Sequence, residues 1–438
     1  MQIFRYPTRE EWPSILARPV FDSTSLFGTV QKVLDDVRMR GDEAVREYTL
    51  TFDKVDLAVT EVTKDEIAAA EKEVSMQLKQ AIEMARRNIW KFHVEQMHDL
   101  PEIQTSPGVY CWQKALPIEK VGLYIPGGTA PLFTTVLMLG VPATIAECKE
   151  IILCTPPDKN GNVHPAVLYA AKVAGVHRVF KIGGTQAIAA MAYGTQTVPK
   201  VYKIFGPGNQ YVTAAKQLVS LKDVAIDMPA GPSEVEVLAD NTANPAFVAA
   251  DLLSQAEHGI DSQSLLITVD ESMVEKVLEQ IDLQIEQLPR KEMTLKALEN
   301  SKIIVVKTLE EAVEMTNEYA PEHLIIATHY YMGVAANISN AGSVFLGNYT
   351  PESAGDYASG TNHTLPTNGY AKAYNGVNLD SFLRKVTFQQ ITKDGLTNLS
   401  NAIILMAENE QLQAHSNAVK IRLNEERETE ERDISYRR

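Results

Sequence analysis

Short apolar runs alternate with longer helical patterns along most of the chain after residue 119. Five runs rich in β-branched residues lie between residues 119 and 227, and they are KVGLYI, EIILCT, RVFKIG, KVYKIF and VAID. Segments of helical length separate them, such as HPAVLYAAKVAG and TQAIAAMAYG. This alternation is typical of a parallel sheet covered by helices on both faces. It therefore predicts an α/β unit in this part of the chain.

The same pattern resumes from about residue 233 with the runs EVEVLAD, SLLITV, KIIVV, HLIIAT and GSVFLG. The predicted fold class is therefore α/β, with two Rossmann-like parallel-sheet units that could descend from an internal duplication. Helical patterns dominate both ends. They cover residues up to about 100 and, after about residue 380, a charged segment ending in RLNEERETEERDISYRR, which we expect to be solvated or frayed.

Composition places the chain among soluble globular proteins. Its 438 residues are 45% hydrophobic and 22% charged, enough for two or three domains. The formal net charge of −15 argues against nucleic acid or an anionic membrane as a partner. Residues 121–146 carry no charge, but their prolines and glycines predict a strand, a turn and a buried helix rather than a membrane span. With no secretory leader after Met1, we expect a cytoplasmic protein.

The cysteine pattern limits the kind of metal site that the chain could build. Cys111, Cys148 and Cys154 form no CxxC pair, which fits reduced core thiols. Any metal would therefore be held by nitrogen and oxygen ligands.

Two glycine turns follow predicted strands and precede predicted helices. They are YIPGGTAP (Tyr124–Pro131) and FGPGNQY (Phe205–Tyr211). Such turns leave backbone N–H groups free at a helix start, which suits a phosphate or another anion. Neither matches GxGxxG, and tight packing alone explains such turns about as well.

Four segments pair a histidine with a carboxylate or amide side chain. They are Gln255 with His258 in LLSQAEHG, Asp356 with His363 in ESAGDYASGTNH, Glu410 with His415 in ENEQLQAH, and Glu322 with His323 in YAPEHL. Asp, His and amide oxygens can complete a zinc or manganese shell, and an adjacent Glu and His can act as acid and base. For any single pair, solvated helix ends and loops are the more common explanation, and the spacing carries the case no further than a possible metal site with nitrogen and oxygen ligands beside a possible acid–base pair.

Seven motifs in collinear order together resemble the histidinol dehydrogenase family. They are YIPGGTAPLFTTVLM, GGTQAIAAMAYGT, KIFGPGNQYVTAAK, IDMPAGPSEV, LLSQAEHG, YAPEHL and ESAGDYASGTNHTLPT, and the match runs from about residue 20 to 420. The resemblance implies a zinc-dependent enzyme that oxidises L-histidinol to L-histidine through L-histidinaldehyde. It also implies reduction of two NAD, as the last step of histidine biosynthesis.

The resemblance also assigns residues, carried over motif by motif. The implied zinc ligands are Gln255, His258, Asp356 and His415; the implied NAD-site residues are Tyr124, Gln186 and Asn209; the implied substrate contacts are Ser233, His323, Glu410 and the four zinc ligands. In this family the segment from Glu410 to His415 reaches the neighbouring subunit's site, so a homodimer with shared active sites is expected.

The chemistry of the family suits the pair in YAPEHL. Oxidation of a primary alcohol by hydride loss needs a base near neutral pKa, and His323 fits that role. The aldehyde must be hydrated before it can lose a second hydride, and Glu322 is the neighbouring carboxylate that could activate water. With the resemblance, the pair is therefore interpreted as the catalytic acid and base.

Domain boundaries complete the prediction. We expect an N-terminal arm over residues 1–22, a first α/β domain over 23–105 and 233–378, and a second, NAD-binding α/β domain over 120–232. Residues 379–438 are expected to form a C-terminal helical segment that completes the partner subunit's site. The alternatives are a dehydrogenase for another amino alcohol, which would turn over a simple amino alcohol equally well, and a catalytically silent zinc- or nucleotide-binding protein.

Overall fold

The structure, a computed structural model, describes residues 1–19, 23–98, 100–127, 131–229 and 231–423. The strands are β1 (Gln2–Arg5), β2 (Ile103–Ser106), β3 (Val109–Pro117), β4 (Lys120–Tyr124), β5 (Glu150–Thr155), β6 (Arg178–Lys181), β7 (Lys203–Phe205), β8 (Ala225–Ile226), β9 (Glu234–Ala239), β10 (Gln263–Thr268), β11 (Lys302–Val305), β12 (His323–Ala327), β13 (Ser343–Leu346) and β14 (Leu383–Ile391).

The helices alternate with these strands over most of the chain. They are α1 (Trp12–Ile15), α2 (Phe27–Arg40), α3 (Asp42–Tyr48), α4 (Lys64–Glu73), α5 (Met76–Val94), α6 (Phe133–Ile145), α7 (Pro165–Val173), α8 (Gly184–Tyr193), α9 (Gln210–Ser220), α10 (Pro245–Ala256), α11 (Ser272–Ile285), α12 (Lys291–Glu299), α13 (Leu309–Tyr319), α14 (Tyr331–Ala335), α15 (Glu352–Tyr357) and α16 (Lys393–Asn409). Residues 413–423 are also helical.

The chain divides into two compact units, one of residues 1–97 and 117–382 and one of residues 98–116 and the chain from 383 onward. The larger unit contains both predicted parallel sheets. Sheet I has the order β6-β5-β4-β7-β8, and all its pairings are parallel. Counted along the chain this is the order 3-2-1-4-5, which is that of a Rossmann fold.

Sheet II has the order β1-β11-β10-β9-β12-β13, again with every pairing parallel. Counted from β9, its strands also run 3-2-1-4-5, with β1 added at the edge beside β11. All ten strands predicted from apolar runs are therefore confirmed, as are the two parallel-sheet units. The strand order is repeated, which is consistent with a duplication but does not prove it.

The helices of residues 27–94 pack on sheet I or on its helices. Side chains of α2 and α3, including Val33, Leu34 and Val45, share one hydrophobic core with Phe180 of β6 and with α8 and α9. In addition, α4 packs on α7 and α5 packs on α6. The predicted grouping of residues 23–105 with residues 233–378 is therefore not the one that the hydrophobic core makes. The sequence of an amphipathic helix shows that one face is buried but not which sheet that face packs against.

Residues 2–5 are also placed differently from the prediction, which assigned residues 1–22 to an arm. They form β1, and Gln2 to Arg5 pair in register with Lys302 to Val305 of β11. A four-residue edge strand is too short to give a period-two signal, so the pattern of apolar residues missed it.

The smaller unit contains a three-stranded sheet of order β14-β3-β2, followed by α16. Its β2 and β3 are antiparallel. Residues 383–391 were predicted as the start of a charged helical segment and are instead strand β14. Half-buried Val386 and Phe388 alternate with exposed polar residues, which is a strand pattern that the helical interpretation of the charged C-terminal segment missed. The charged tail of residues 424–438 lies outside the described residues.

The uncharged stretch of residues 121–146 forms β4 and the buried helix α6, as predicted. Within the described ranges, none of the helices has both the length and the apolar composition that crossing a membrane requires. The three cysteines are free thiols, with Cys148 and Cys154 buried and Cys111 partly exposed.

Candidate active site

A cavity of about 1180 Å³ lies at the carboxyl ends of the sheet I strands. It is lined by Tyr124 at the end of β4, Thr155 at the end of β5, Gln186 near the start of α8 and Asn209 immediately before α9. The crevice where the strand order reverses is the usual ligand site of such sheets. The structure thus brings together the three residues that the sequence predicted for the NAD site.

Polar side chains in this cavity are held by the turns around them. The Tyr124 hydroxyl accepts the N–H of Gly184 at 3.0 Å, and burial raises the pKa of Tyr124 above its ordinary range. Gln186 is fully buried, and its Oε1 has no hydrogen-bond partner among the described residues. Its Nε2 lies 3.5 Å from Oδ2 of Asp53, a carboxyl whose pKa burial raises to about 6. A buried amide oxygen without a partner is suited to a donor group of a ligand.

The second glycine turn presents the amino end of α9 to the same cavity. Asn209 caps the helix, and its side-chain oxygen accepts the N–H groups of Tyr211 at 3.1 Å and Val212 at 3.2 Å. A helix start of this kind favours an anionic group such as a phosphate. In the first turn Tyr124, Pro126, Gly127 and Pro131 line the cavity, whereas residues 128–130 lie outside the described residues.

A second cluster lies at the amino ends of the sheet II strands. His323 is the first residue of β12 and pairs with Val235 at the start of β9. Glu322 Oε2 accepts the N–H of Glu234 at 2.8 Å, and His323 Nδ1 lies 3.1 Å from the carbonyl oxygen of Glu234. The general expectation that ligands collect at carboxyl strand ends therefore holds for the cavity of sheet I but not for this pair.

The tautomer of His323 follows from its partner. A carbonyl oxygen can only accept, so Nδ1 carries the proton and donates it to Glu234. Nε2 then holds the lone pair of the neutral ring. This atom is buried and has no hydrogen-bond partner among the described residues. In its neutral form His323 is thus oriented to accept a proton at Nε2.

Three carboxylates surround the imidazole of His323. Glu322 Oε2 lies 3.6 Å and Glu352 Oε1 lies 3.8 Å from Nδ1, whereas Asp356 Oδ1 lies 3.4 Å from Nε2. Burial alone would lower the pKa of His323, but the charges of Glu352 and Glu322 outweigh it and hold that pKa well above its usual range. Burial raises the pKa of Glu322 and that of Glu352 to about 8.

The same cluster has the donor set of a divalent-cation site. His323, Glu352 and Asp356 each offer one ligand atom, and these three atoms lie within 4.8 Å of one another. Oδ1 of Asp356 is buried and has no hydrogen-bond partner among the described residues. The fully buried amide of Gln255 lies beside them, between Glu352 Oε1 and the N–H of Glu234. Unpaired oxygen and nitrogen ligands without cysteine suit zinc or manganese. These residues therefore fit a bound metal.

His258 lies three residues beyond Gln255, where its backbone N–H donates to the Gln255 carbonyl at 3.1 Å. Its side chain is exposed, yet close enough to Asp356 for their charges to interact. Of the four predicted zinc ligands, Asp356 belongs to the group whose ligand atoms lie within 4.8 Å, Gln255 lies beside Glu352 of that group, and His258 is near enough for its charge to interact with that of Asp356. The fourth, His415, lies with Glu410 on the smaller compact unit, where both side chains are exposed.

Ser233 lies immediately before β9 and so at the same end of sheet II as Glu322 and His323. Its carbonyl oxygen accepts the N–H of Gln263 at 3.1 Å, and the residue also borders a small pocket with Arg18 and Asn368. The predicted substrate contact is therefore adjacent in sequence to Glu234, which holds both Glu322 and His323.

Helix α6 connects the cavity with the buried cluster. Its Thr135 Oγ1 lies 3.0 Å from His363 Nε2, and His363 Nδ1 lies 3.0 Å from the carbonyl oxygen of Asp356. Burial lowers the pKa of His363, so its neutral ring donates from Nδ1 to Asp356 and accepts from Thr135. Because Pro131 lines the cavity just before α6, the two candidate sites are neighbours.

Sequence reasoning missed Glu352, Glu234 and Asp53. Glu352 carried a signal, because it lies four residues before Asp356 and thus on the same face of α15. Glu234 and Asp53 had none, since each acts through contacts with residues far away in the chain.

Two Rossmann-type sheets, a crevice at the carboxyl ends of one and a buried acid–base cluster at the amino ends of the other define an α/β enzyme of the dehydrogenase class. The family model described as histidinol dehydrogenase matches residues 16–423. The chain therefore belongs to the histidinol dehydrogenase family, a family of oxidoreductases.

Individual relatives are similar over almost their whole length. The chain is 64% identical to histidinol dehydrogenase of Bacteroides thetaiotaomicron over 97% of this chain and 99% of that protein. It is 51% identical to histidinol dehydrogenase of Escherichia coli over 95% and 96%. The crystal structure of histidinol dehydrogenase from Elizabethkingia anophelis matches with a TM-score of 0.95 and 54% identity, covering 97% of this chain and 98% of that chain.

Proposed function

We propose that this protein catalyses the last step of histidine biosynthesis in the cytoplasm, the NAD-dependent oxidation of L-histidinol to L-histidine through L-histidinaldehyde. The observation that carries the proposal is the buried Glu322–His323 pair, whose free Nε2 lies 3.4 Å from the unpaired Oδ1 of Asp356. A proton acceptor beside an unpaired metal-type ligand is the arrangement that an alcohol bound through a metal requires.

Gln255, His258 and Asp356 would hold a zinc ion, together with His415 of the partner subunit. When bound, the metal would chelate the amine and imidazole of the substrate, and its charge would oppose the carboxylates that raise the pKa of His323. Ser233 and the partner subunit's Glu410 would contact the substrate around this position.

His323 would take the hydroxyl proton of L-histidinol at Nε2 in the first oxidation, while hydride passes to NAD. The Nδ1–H bond to Glu234 fixes the ring so that the lone pair stays on Nε2. In this exchange the alcohol gives a hydride, which carries two electrons, to NAD and one proton to His323, and L-histidinaldehyde remains.

Glu322 would act between the two oxidations by taking a proton from the water that adds to the aldehyde. Its pKa of about 8 makes it a stronger base than an exposed carboxylate. As the water adds, the protonated His323 would return its proton to the aldehyde oxygen, which frees Nε2 again. The hydrated aldehyde then loses a second hydride to a second NAD and a hydroxyl proton to His323, which gives the carboxylic acid. Two NADH form for each L-histidinol.

We assign NAD to the cavity of sheet I and hence to the predicted domain of residues 120–232. Tyr124, Gln186 and Asn209 supply a hydroxyl, an amide and a helix start in one crevice. This set suits the ribose, the carboxamide and the pyrophosphate of a dinucleotide.

The decisive experiment measures NADH produced per L-histidinol, before and after treatment with a chelator. Two equivalents, lost on chelation and restored by zinc, are expected. A simple amino alcohol without imidazole serves as the control and should be turned over far more slowly. One equivalent, no dependence on metal, or equal turnover of the control would contradict the proposal.

Shared sites in a homodimer can be tested by complementation. Each of His415→Ala and His323→Ala should be inactive alone, but a mixed dimer would collect both defects in one site and none in the other. With half of the dimers mixed, about a quarter of wild-type activity is expected. If subunit exchange is demonstrated and activity stays at the parental level, His415 serves its own chain.

A further inference from the structure

A buried ion pair lies behind the second glycine turn of the cavity. Lys216 of α9 and Asp227 just after β8 approach to 2.5 Å, with side chains only 7% and 1% exposed. Neither residue lines the cavity. Lys216 therefore cannot carry its charge to a ligand, and any influence on the site must pass through the chain that it holds.

Both members of the pair bind the same glycine. Asp227 Oδ2 accepts the N–H of Gly206 at 2.8 Å, and Lys216 Nζ donates to the Gly206 carbonyl at 2.7 Å. Gly206 has a φ of +122°, and a Cβ there would lie 2.0 Å from the carbonyl oxygen of Tyr124. The ion pair thus satisfies both polar groups of a backbone unit that is pressed against the cavity residue Tyr124.

The geometry of α9 explains how Lys216 reaches this turn. Lys216 lies seven residues, or about two helical turns, after the N-cap Asn209, and helical side chains tilt toward the amino end. The lysine therefore extends back under the turn that begins at Gly206 and ends at Asn209. Asp227 reaches the turn from the side of sheet I, where its backbone N–H donates to the carbonyl oxygen of Ile204 in β7 at 3.1 Å.

Stability alone is a weak reason for such a pair. Burying two charges costs several kcal/mol, and replacing both partners by apolar residues of similar volume is often neutral or stabilising. What an apolar pair cannot do is bind the N–H and the carbonyl of Gly206. The distinctive contribution of Lys216 and Asp227 is therefore the conformation of the turn from Gly206 to Asn209.

We propose that Lys216 and Asp227 are positioning residues for the dinucleotide, because together they hold the turn Gly206–Asn209 in the conformation that presents the start of α9 to the cavity. This inference rests on the proposed use of NAD. It predicts that loss of the pair weakens NAD binding and leaves the binding of L-histidinol at the amino ends of sheet II unchanged.

The test uses the double variant Lys216→Met/Asp227→Leu in the full-length protein, which removes both charges together and leaves the N–H and carbonyl of Gly206 without their partners. NAD binding is measured by isothermal titration calorimetry without substrate, alongside the melting temperature and the KM values for NAD and L-histidinol. We expect about tenfold weaker NAD binding, a matching rise in the KM for NAD, an unchanged KM for L-histidinol and a lower melting temperature.

The matched control is Arg178→Met, which breaks the ion pair with Glu61 at the amino end of β6, the end opposite to the cavity. It should lower the melting temperature without changing NAD affinity. If wild-type protein binds no NAD, the proposed function fails. If wild type binds NAD and the double variant binds it equally well, only the positioning role is overturned.

A second variant covers the case in which the double variant does not fold. Asp227→Asn keeps the shape of the side chain and removes the charge that holds Lys216. We expect at least threefold weaker NAD binding with an unchanged KM for L-histidinol. Unchanged NAD affinity in this folded variant would overturn the proposal.

Discussion

The two parallel sheets share one strand order, yet their candidate sites lie at opposite ends. In sheet I the cavity lies beyond the carboxyl ends of β4 and β7, where the order reverses. In sheet II the buried acids and His323 lie at the amino ends of β9 and β12. The corresponding carboxyl ends of sheet II are bridged by Asp240, whose carboxylate accepts the N–H groups of Thr242 at 2.8 Å and His329 at 2.9 Å.

The comparison shows that one site depends on the order of the strands and the other on side chains that helices bring to the sheet. In sheet I the reversal of strand order leaves an open crevice beside a helix start, which suits a phosphate-bearing cofactor. At the corresponding ends of sheet II the carboxylate of Asp240 binds the backbone N–H groups of Thr242 and His329. Its amino ends instead receive Gln255 from the end of α10 and Glu352 from α15, so the chemistry there depends on helices that return to this edge.

The largest effect is expected at the amino end of sheet II. His323→Asn should lower kcat about 10³-fold for both L-histidinol and L-histidinaldehyde, because both oxidations need the base at Nε2. Steady-state assays with each substrate measure this. His177→Asn, at the amino end of sheet I, is the matched control and should keep wild-type kcat. A loss confined to one substrate would mean that His323 does not serve both oxidations.

Glu322→Gln should reduce aldehyde oxidation by about 10²-fold and affect alcohol oxidation much less, because only the aldehyde must be hydrated. Gln keeps an oxygen that can accept the N–H of Glu234, so the backbone of β9 should stay in place. Separate assays of the two substrates check the division. Equal losses in both would assign Glu322 to positioning His323 instead.

A smaller, purely cofactor-related effect is expected at the carboxyl end of sheet I. Gly206→Ala places a Cβ against the Tyr124 carbonyl at a φ that only glycine adopts easily, a strain of about 1–3 kcal/mol. The KM for NAD should therefore rise about tenfold, with the KM for L-histidinol unchanged. A change in the KM for L-histidinol would show that the two ends are not functionally separate.

Glu236 tests whether a buried acid of sheet II that takes no part in catalysis lowers the free energy of unfolding. It is fully buried on β9, its Oε1 accepts the hydroxyl of Thr316, and burial raises its pKa from 4.5 to about 8. The native state thus holds this proton more tightly than the unfolded chain. The free energy of unfolding should fall as the pH rises from about 4.5 to about 8, and level off above.

Glu236→Gln should remove this pH dependence and gain roughly 4 kcal/mol relative to wild type between pH 5 and pH 8. Urea unfolding at both pH values measures the difference. The kcat should not change, and a changed kcat would extend the catalytic cluster deeper into sheet II than the geometry indicates.

The smallest effect is expected at the carboxyl end of sheet II. Asp240→Asn weakens the bonds to Thr242 and His329 and should lower the free energy of unfolding by about 1 kcal/mol. All kinetic constants should remain those of wild type. A higher KM for either NAD or L-histidinol would mean that this end of sheet II also contributes to a site.

The sequence by itself determined the elements of the larger unit. Eight of its ten predicted strands are largely buried, whereas β8 and β13 are partly exposed, and buried strands consist of apolar runs that local composition reveals. The adjacency of Glu322 and His323 and the two glycine turns were likewise visible. Shared motifs were enough to indicate the family, because each motif combines a turn with the side chains that use it.

Tertiary structure alone decided which elements meet. It paired β1 with β11, three hundred residues away in the chain, and placed α2 to α5 on sheet I or its helices. It also put His323 at the amino end of its strand, whereas the crevice of sheet I lies at the carboxyl ends of the strands. It also brought Glu234, Glu352 and Asp53 into the sites. Apolar periodicity records only that a face is buried, whereas the partner of that face is chosen by packing and hydrogen bonding between segments that are distant in the chain.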